Sequence, residues 1–286
     1  IIKIINNCTK KDTTVTIEDV NINVSGGEYG TGKAAMSVEG VGDTTLKLEG
    51  DNTLKSGWGR AGVEKNDETS SGKLTITAED TSSSLNAVGG QEAAGIGGGG
   101  YRQSTSKLEI ANGKIYAEGG SRGAGIGGGS IGGNGEVTIS GGEVTAYASG
   151  GGAGIGGGTD STKKSTVRIL GGVINAVGCG YGSGIGGGHG DTQVAEVEIG
   201  GGAQVTAKGG SGYASLGAGA AIGTGGGVRG KAGKELDVNT SGGGTVTRID
   251  SKLSAGHKHE WTLVSSTPAA VGQMGEKVYE CSCGST

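Results

Sequence analysis

The sequence predicts an all-β fold, a right-handed, single-stranded parallel β-helix of about eight coils, and three observations support this prediction. First, a six-residue phrase of the form Ala-Gly-Ile-Gly-Gly-Gly recurs along the chain. Second, two short runs of alternating apolar residues precede each copy of the phrase. Third, the whole unit repeats about every 30 residues, and a period of this size indicates a repeat architecture.

The phrase supplies a column of isoleucines. Its copies begin at Ala94, Ala124, Ala153 and Ser183, and a degenerate copy begins at Ala221. Stacked coils place equivalent residues above one another at the strand spacing of about 4.8 Å. We therefore predict an internal ladder that is formed by the phrase isoleucines Ile96, Ile126, Ile155, Ile185 and Ile222.

The two alternating runs predict two further short strands in each coil. Alternation with period two is typical of a β-strand with one buried face. The first runs cover residues 74–76, 108–110, 137–139, 167–169 and 197–199. The second runs are centred on Leu85, Ile115, Val144, Ile174 and Val205, and each has Ala two positions later.

Glycine contributes 69 of the 286 residues, whereas the chain has one Pro and no Phe. Collagen is excluded because the glycines follow no strict three-residue period and proline is almost absent. We interpret the glycines as residues that tight corners require on steric grounds. The alternative interpretation is that the backbone N–H groups of the glycine runs bind an anion. Right-handed coiling is expected by analogy with parallel crossover connections.

The composition changes near residue 251, and we predict a β-helix over residues 1–250 and a tail or small module over residues 251–286. The first hundred residues fit the repeat less closely. Residues 1–5 are expected to begin the first coil, and residues 57–63 resemble a divergent copy of the phrase. Residues 207–221 carry an insertion, which we place as a loop before the last phrase.

Charge and hydropathy exclude two classes of partner. The formal net charge is −4 with both signs interspersed, so nucleic acid is not an expected partner. No run approaches 18 apolar residues, so no membrane-spanning helix is predicted. Four cysteines are too few for a disulfide-stapled scaffold, and we interpret Cys8 and Cys179 as small buried residues.

Outward positions of the second strand suggest a face that binds a saccharide. Tyr116 and Tyr147 fall on adjacent coils of this face, with Asn175 one coil further on. A tyrosine ring stacks on a pyranose while amides and hydroxyls bind its OH groups, which makes these three the predicted ligand-binding residues. The alternative is an ordinary solvated face.

Two aspartates follow the phrase at similar offsets on adjacent coils. Asp160 and Asp191, with His189 between them in sequence, could form a glycosidase pair or bind calcium, or could be solvated corner residues. The segments Gly158-Thr-Asp160, Gly188-His-Gly190 and Arg248-Ile-Asp250 loosely resemble polygalacturonase motifs. These segments differ from the polygalacturonase motifs in three ways. Gly158 stands in place of Asn, Asp250 stands in place of Lys, and the paired Asp-Asp motif is missing.

The tail contains a set of residues suited to zinc. His257, His259, Cys281 and Cys283 supply two imidazoles and two thiolates, which is a complete tetrahedral ligand set. These four are the predicted metal ligands if the tail binds zinc; the alternative is a disordered or truncated tail with free or disulfide-bonded cysteines.

The repeat from Ile139 to Gly158 resembles β-helix repeats of surface proteins from Gram-positive bacteria, and also the carbohydrate-binding β-helix modules of that group. The tail resembles a short repeat in the same proteins, which usually ends in C-x-x-C-G rather than in C-x-C-G. The resemblance implies secretion and cell-surface attachment, through an anchor outside this stretch of sequence. It identifies no binding residues, since the shared motif is structural.

These observations lead to three hypotheses for function. We expect a non-catalytic surface module that binds a polysaccharide or a host-surface glycan, or that acts as part of an adhesin. The second hypothesis is a polysaccharide-degrading glycosidase or lyase that uses Asp160, Asp191 and His189. The third is a structural spacer without a ligand.

Overall fold

The computed structural model describes most of the chain. The described residues are 1–10, 12–101, 103–131, 133–161, 164–190, 195–212, 217–227, 230–238, 240 and 243–249, together with the backbone of two later strands. The chain divides into two compact units, Ile1–Ser251 and Lys252–Thr286.

The described residues form 25 strands. In chain order they are β1 (Ile2–Ile5), β2 (Thr13–Glu18), β3 (Asn21–Asn23), β4 (Met36–Glu39), β5 (Thr44–Glu49), β6 (Asp51–Lys55), β7 (Val63–Glu64), β8 (Leu74–Thr77), β9 (Ser84–Val88), β10 (Ile96–Gly97), β11 (Thr105–Ile110), β12 (Lys114–Gly119), β13 (Ile126–Gly127), β14 (Gly135–Ile139), β15 (Glu143–Ala148), β16 (Ile155–Gly156), β17 (Thr166–Ile169), β18 (Val173–Val177), β19 (Ile185–Gly186), β20 (Glu196–Ile199), β21 (Gln204–Lys208), β22 (Ile222–Gly223), β23 (Thr245–Ile249), β24 (Trp261–Thr267) and β25 (Glu276–Cys281).

The first unit is a parallel β-solenoid, as the repeat predicts. Each turn adds one strand to each of three sheets, which we call A, B and C in the order the chain visits them. Sheet A runs from β1 to β22 with eight strands, sheet B from β2 to β20 with seven, and sheet C from β3 to β23 with eight. The chain thus makes about seven complete turns, and further strands of sheets A and C follow them.

The predicted ladders are confirmed residue by residue. Each phrase isoleucine pairs with the next, in the order Ile96, Ile126, Ile155, Ile185 and Ile222. The first runs stack in sheet B and the second runs stack in sheet C. All five phrase isoleucines are fully buried. The alternation in sequence therefore corresponds to an interior that each turn fills with one apolar side chain from sheet A and at least two from each strand of sheets B and C, as in Ile126, the pair Val137 and Ile139, and the pair Val144 and Ala146.

The irregular N-terminal part follows the same plan. Val63 pairs with Ile96, which confirms that residues 57–63 are a divergent copy of the phrase. Met36 occupies the same column one turn earlier, and β1 begins the first turn of sheet A, as expected for residues 1–5. Val63 and Met36 thus replace isoleucine without a change of register.

The phrase glycines stand where the turns of sheet A meet too closely for a side chain. Gly127 has a φ of 136°, and a Cβ atom there would lie 2.0 Å from the carbonyl oxygen of Gly156 on the next turn. The N–H of Gly128 donates to that same oxygen over 2.9 Å. The steric interpretation of these glycines is therefore confirmed at this corner. The Gly128 N–H binds protein rather than an anion.

The C-terminal end of the solenoid is covered by a short return segment. Glu235 forms an antiparallel bridge with Gly223, and its carboxylate accepts hydrogen bonds from the N–H groups of Ala221 and Ile222. Arg248 from β23 donates to the same carboxylate over 2.6 Å. The edge strand of sheet A thus has its free N–H groups satisfied by a side chain.

The second unit contains β24 and β25, which pair in an antiparallel fashion with a register shift between Leu263 and Ser265.

Candidate functional site

Two sets of connections flank sheet A and join into one surface. We call this surface the corner strip. It consists of residues 26–32, 57–60, 90–93, 120–123, 149–152 and 179–182, which precede sheet A strands, and residues 99–101, 129–131, 158–161 and 188–190, which follow them. Backbone hydrogen bonds link the two sets between neighbouring turns, from Gly100 N to Gly59 O (2.9 Å), Ser130 N to Glu92 O (2.8 Å), Thr159 N to Arg122 O (2.8 Å) and His189 N to Gly151 O (2.6 Å).

Three aromatic side chains from different turns meet at the N-terminal end of the corner strip. The ring centroid of Trp58 lies 4.7 Å from that of Tyr29 and 5.8 Å from that of Tyr101, and the two tyrosine centroids are 5.1 Å apart. Tyr29 is 69% exposed, whereas Trp58 and Tyr101 are half-buried. We call these three residues the aromatic cluster. The three rings pack together and leave part of their surface in contact with solvent.

A shallow hollow with a volume of about 240 Å³ adjoins the aromatic cluster. Its wall includes Trp58 and Tyr101, and its polar lining includes Arg60, Asn66 and Gln103. Asn66 Oδ1 accepts a hydrogen bond of 2.7 Å from the N–H of Gly99 and is thereby held in place. Gln103 donates from Nε2 to Glu68, whereas its buried Oε1 has no hydrogen-bond partner among the described residues.

Charged pairs lie beside the hollow with the carboxylates buried and the guanidinium groups at the surface. Arg60 Nη1 lies 2.9 Å from Glu64 Oε1, and Arg122 Nη1 lies 3.6 Å from Glu92 Oε1. Burial raises the pKa of Glu64, and the Arg60 charge opposes this shift. Glu92 is 5% exposed, and its Oε2 atom has no hydrogen-bond partner within the described part of the chain. Arg60 and Arg122 therefore each have an acidic partner.

The surroundings of Tyr101 keep its phenol protonated. Partial burial and a hydrogen bond with Tyr29 raise the pKa of Tyr101 to about 12, and the nearby Glu92 charge acts in the same direction. Tyr101 therefore presents a neutral hydroxyl group at physiological pH.

The predicted saccharide face on sheet C is only partly assembled. Tyr116 is opposite Thr145, and Tyr147 is opposite Glu118, so the two tyrosines lie on adjacent strands but two residues apart in register. Tyr116 is 39% exposed and its hydroxyl lies 3.2 Å from Glu118 Oε2. A hollow of about 250 Å³ beside Tyr116 is lined by Asn86, Lys114, Glu143 and Thr145.

Tyr147 is engaged with a neighbouring turn rather than with Tyr116. A hydrogen bond with Cys179 is the main reason that the pKa of Tyr147 rises to about 12, and partial burial adds to the shift. Asn175 is exposed and follows Thr145 by one turn. Cys179 is half-buried and Cys8 is exposed, so the prediction that both are buried is wrong. Both cysteines lie at corners, where the alternating pattern of the strands does not apply.

The structure describes part of the predicted acidic corner. The N–H of Asp160 donates to the carbonyl of His189 over 2.7 Å, so the two residues lie on adjacent turns, and Asp160 is exposed. The His189 ring packs on Tyr181 with a centroid separation of 5.0 Å, and its Nε2 lacks a hydrogen-bond partner among the described residues. Asp191 lies outside the described residues. Catalysis and calcium binding at this corner stay predictions.

The predicted zinc site falls almost wholly on residues that are not described. His257, His259 and Cys283 lie outside the described residues, and for Cys281 the backbone of β25 is described. Within the part of the chain that the structure describes, no group of three or more His, Cys, Asp or Glu side chains could hold a metal ion. Zinc in the tail therefore stays a prediction.

The fold defines the class of the protein as a parallel β-solenoid. No protein-family model, curated protein or solved structure matches the chain. No helix among the described residues is long and apolar enough to cross a membrane.

Sequence reasoning missed the aromatic cluster, because its three residues are 29 to 72 positions apart and occupy different connections. Trp58 lies within the divergent copy of the phrase, five positions before Val63, which joins the isoleucine column. Alignment of that copy with the later ones would have placed Trp58 at a corner. The approach of Tyr29 and Tyr101 depends on loop geometry, which the repeat does not encode.

Proposed function

We propose that the protein is a non-catalytic β-solenoid module that binds glycans at the aromatic cluster. The observation that supports this proposal is the packing of Tyr29, Trp58 and Tyr101 beside a hollow with polar lining. An aromatic face stacks on the C–H face of a pyranose, while fixed amide and guanidinium groups bind its hydroxyls. Tyr29 and Trp58 offer the first kind of contact, and Asn66, Gln103 and Arg60 offer the second.

The arrangement of the rings argues against a quaternary ammonium ligand. Such a cation binds over the faces of rings that surround it. Here the centroids are 4.7 to 5.8 Å apart, so the rings contact one another and leave no space for a cation between them. The cluster therefore offers an outer surface for stacking instead of a cage.

The proposal includes secretion and attachment to the cell surface of a Gram-positive bacterium, with a polysaccharide or host-surface glycan as the partner. The resemblance of the phrase repeat to modules of such proteins supports this part. The competing functions are a structural spacer, which would bind no glycan, and a polysaccharide-degrading enzyme, which would cleave the glycan it binds. Glycan binding without cleavage distinguishes the proposal from both.

The proposal predicts that glycan binding depends on Trp58. The whole chain is applied to an array of plant, bacterial and host glycans, and the affinity for the best ligand is measured by calorimetry. Trp58→Ala removes the central ring and is expected to weaken binding at least tenfold, which is about 1.4 kcal/mol.

Tyr116→Ala on sheet C is the matched control, since it removes an exposed tyrosine from the other candidate surface. Equal loss in both variants, or loss in Tyr116→Ala alone, would transfer the site to sheet C. A blank array would favour the spacer. Release of reducing ends from a bound polysaccharide would favour the enzyme.

A further inference from the structure

One position of the corner strip holds a left-handed backbone in four successive turns. Tyr101, Ile131, Asp160 and Gly190 follow the phrase at equivalent places, with φ angles of 59°, 55°, 56° and 73°. We call these four residues the left-handed column. Side chains rarely adopt this conformation, and for the β-branched Ile131 it is a clear outlier.

The fold does not require side chains in the left-handed column. Gly190 occupies the fourth position, where the same conformation costs glycine nothing. Ile131 therefore holds strained backbone that a glycine would relieve, whereas Asp160 is of a residue type that adopts this conformation more readily. Strain of this kind is concentrated at ligand-binding sites, where a particular side chain is needed at a particular place.

The left-handed column continues the aromatic cluster along the solenoid axis. Its first member, Tyr101, belongs to that cluster. The N–H of Ile131 donates to Thr159 O over 2.8 Å, and the N–H of Asp160 donates to His189 O over 2.7 Å, so each member lies one turn beyond the previous one. With turns about 4.8 Å apart, Tyr101, Ile131 and Asp160 cover about 10 Å of the axis.

The connection beside the left-handed column contributes no side chains in its middle. The adjoining connection is Gly150-Gly151-Gly152, which has no side chains between Arg122 and Tyr181. Ile131 is half-buried and Asp160 is exposed, so both contribute atoms to the surface. An apolar contact and a hydroxyl acceptor thus follow the aromatic rings in a line.

The charges of the described residues on this surface favour a neutral ligand. Arg60 and Arg122 are paired with Glu64 and Glu92, whereas Asp160 has no paired cation among the described residues. An unpaired carboxylate repels uronate groups and accepts hydrogen bonds from hydroxyl groups.

We propose that an unbranched, neutral oligosaccharide binds lengthwise on the corner strip, with one sugar on the aromatic cluster and the following sugars over Ile131 and Asp160. This inference rests on the proposed glycan-binding function. It adds the direction of the chain, its neutrality and the residues that bind beyond the first sugar.

The length of the ligand tests the inference. The probes are unbranched oligomers of glucose, mannose, xylose and N-acetylglucosamine, each from disaccharide to hexasaccharide, with oligogalacturonates of the same lengths. Affinity for a neutral series is expected to rise roughly tenfold from disaccharide to tetrasaccharide and then to level off. The galacturonate series is expected to bind more weakly at every length.

Two substitutions connect this length dependence to the left-handed column. Ile131→Gly and Asp160→Gly are expected to weaken tetrasaccharide binding roughly fivefold to tenfold and to leave disaccharide binding unchanged. Ile131→Gly relieves a strained residue, so its melting temperature is expected to rise by about 2 °C, whereas Asp160→Gly is expected to change the melting temperature by less than about 2 °C. Lys107→Gly is the control, because Lys107 also has a positive φ of 50° but lies on β11. It is expected to leave binding at every length unchanged.

The outcomes separate the two proposals. Disaccharide binding that needs Trp58 but does not strengthen with length, or tetrasaccharide binding that Ile131→Gly and Asp160→Gly leave intact, overturns lengthwise binding and retains the glycan-binding site. Stronger binding of galacturonates overturns the neutral ligand. Absence of binding to every probe at every length rejects both proposals.

Discussion

At the scale of single residues, Tyr101 and Tyr147 differ from a freely exposed tyrosine because a neighbouring side chain hydrogen-bonds each hydroxyl group. Tyr101 hydrogen-bonds Tyr29 within the aromatic cluster, and Tyr147 hydrogen-bonds Cys179 on sheet C. Each environment raises the pKa of the phenol to about 12. Two surfaces that are considered for binding thus contain phenols that stay neutral at high pH.

The raised pKa values predict that the fold loses stability in alkali. The folded protein keeps both phenol protons to about pH 12, whereas the unfolded chain loses them near pH 10. Between these values the unfolded state binds fewer protons, so the free energy of unfolding falls as the pH rises. Urea unfolding at several pH values is expected to show this fall, and Tyr147→Phe is expected to make it shallower.

Absorbance of the phenolate provides the direct check on that prediction. The wild type is expected to show a component that titrates at about pH 12, and Tyr147→Phe is expected to reduce it. An unchanged titration in this variant would show that Tyr147 ionises like an ordinary tyrosine.

The sequence could not supply these residue-level details. Tyr147 and Cys179 are 32 positions apart, and their contact depends on how one corner sits beside the end of β15. The alternation identifies outward positions such as Tyr116 and Asn175, but it contains no information on which outward side chains contact each other across turns.

At the scale of the element, the phrase is a corner in which glycine is required by contact with the next turn. The carbonyl oxygen of Gly156 lies only 2.0 Å from the place of a Cβ atom on Gly127, and similar close approaches occur at Gly97, Gly156 and Gly186. The apolar ladder supports each turn, and the glycines allow the turns to approach to the strand spacing.

Replacement of a phrase glycine is therefore expected to be severe. Gly127→Ala places a methyl group 2.0 Å from a backbone oxygen and forces a φ of 136° on an L-residue. We expect a loss of about 4 kcal/mol in the free energy of unfolding, a value that few point mutations reach. Chemical denaturation followed by circular dichroism measures it.

Gly26→Ala is the matched control, because no atom lies within 4 Å of a Cβ atom at Gly26. It is expected to change the free energy of unfolding by less than about 1 kcal/mol. Similar stability of the two alanine variants would contradict the steric role of the phrase glycines.

The strands of the solenoid could be predicted and the candidate site could not, for a physical reason. Ile126 and Val137 obey local rules, since period two and a fixed offset determine which face is buried. Tyr29, Trp58 and Tyr101 lie in connections whose lengths differ between turns. Their meeting is a property of three loops together, which no single window of sequence contains.

At the scale of the whole solenoid, the C-terminal turn is closed by specific side chains. Stability in such a stack is approximately a sum over turns and their nearest neighbours, so an end turn depends on its cover. Glu235 provides that cover by accepting from Ala221 and Ile222, and Arg248 fixes the carboxylate. Ile1 and Ile5, in the first turn, are 65% and 58% exposed.

Removal of this carboxylate is expected to loosen the last turn alone. Glu235→Ala leaves two N–H groups without their acceptor, a loss of about 1–3 kcal/mol in local stability. Hydrogen exchange is expected to accelerate at Ala221 and Ile222 and to remain unchanged at Ile126 and Ile155.

Glu143→Ala is the control for that experiment, since it breaks the exposed pair with Lys114, whose atoms are 3.6 Å apart. Its effect is expected to stay below about 1 kcal/mol. Faster exchange throughout the solenoid in Glu235→Ala would show that the turns unfold as one unit, against the nearest-neighbour description.

The direction of the hydrogen bonds has a mechanical consequence. In the solenoid, the bonds between strands connect one turn to the next, so they lie along the axis rather than across it. A tensile force along that axis loads the ladder of one terminal turn before the next, and the turns detach in sequence. A tether carries tension better when the hydrogen bonds between its strands are loaded in shear and all at once. The solenoid is mechanically suited to presenting a side surface, which is where the aromatic cluster lies.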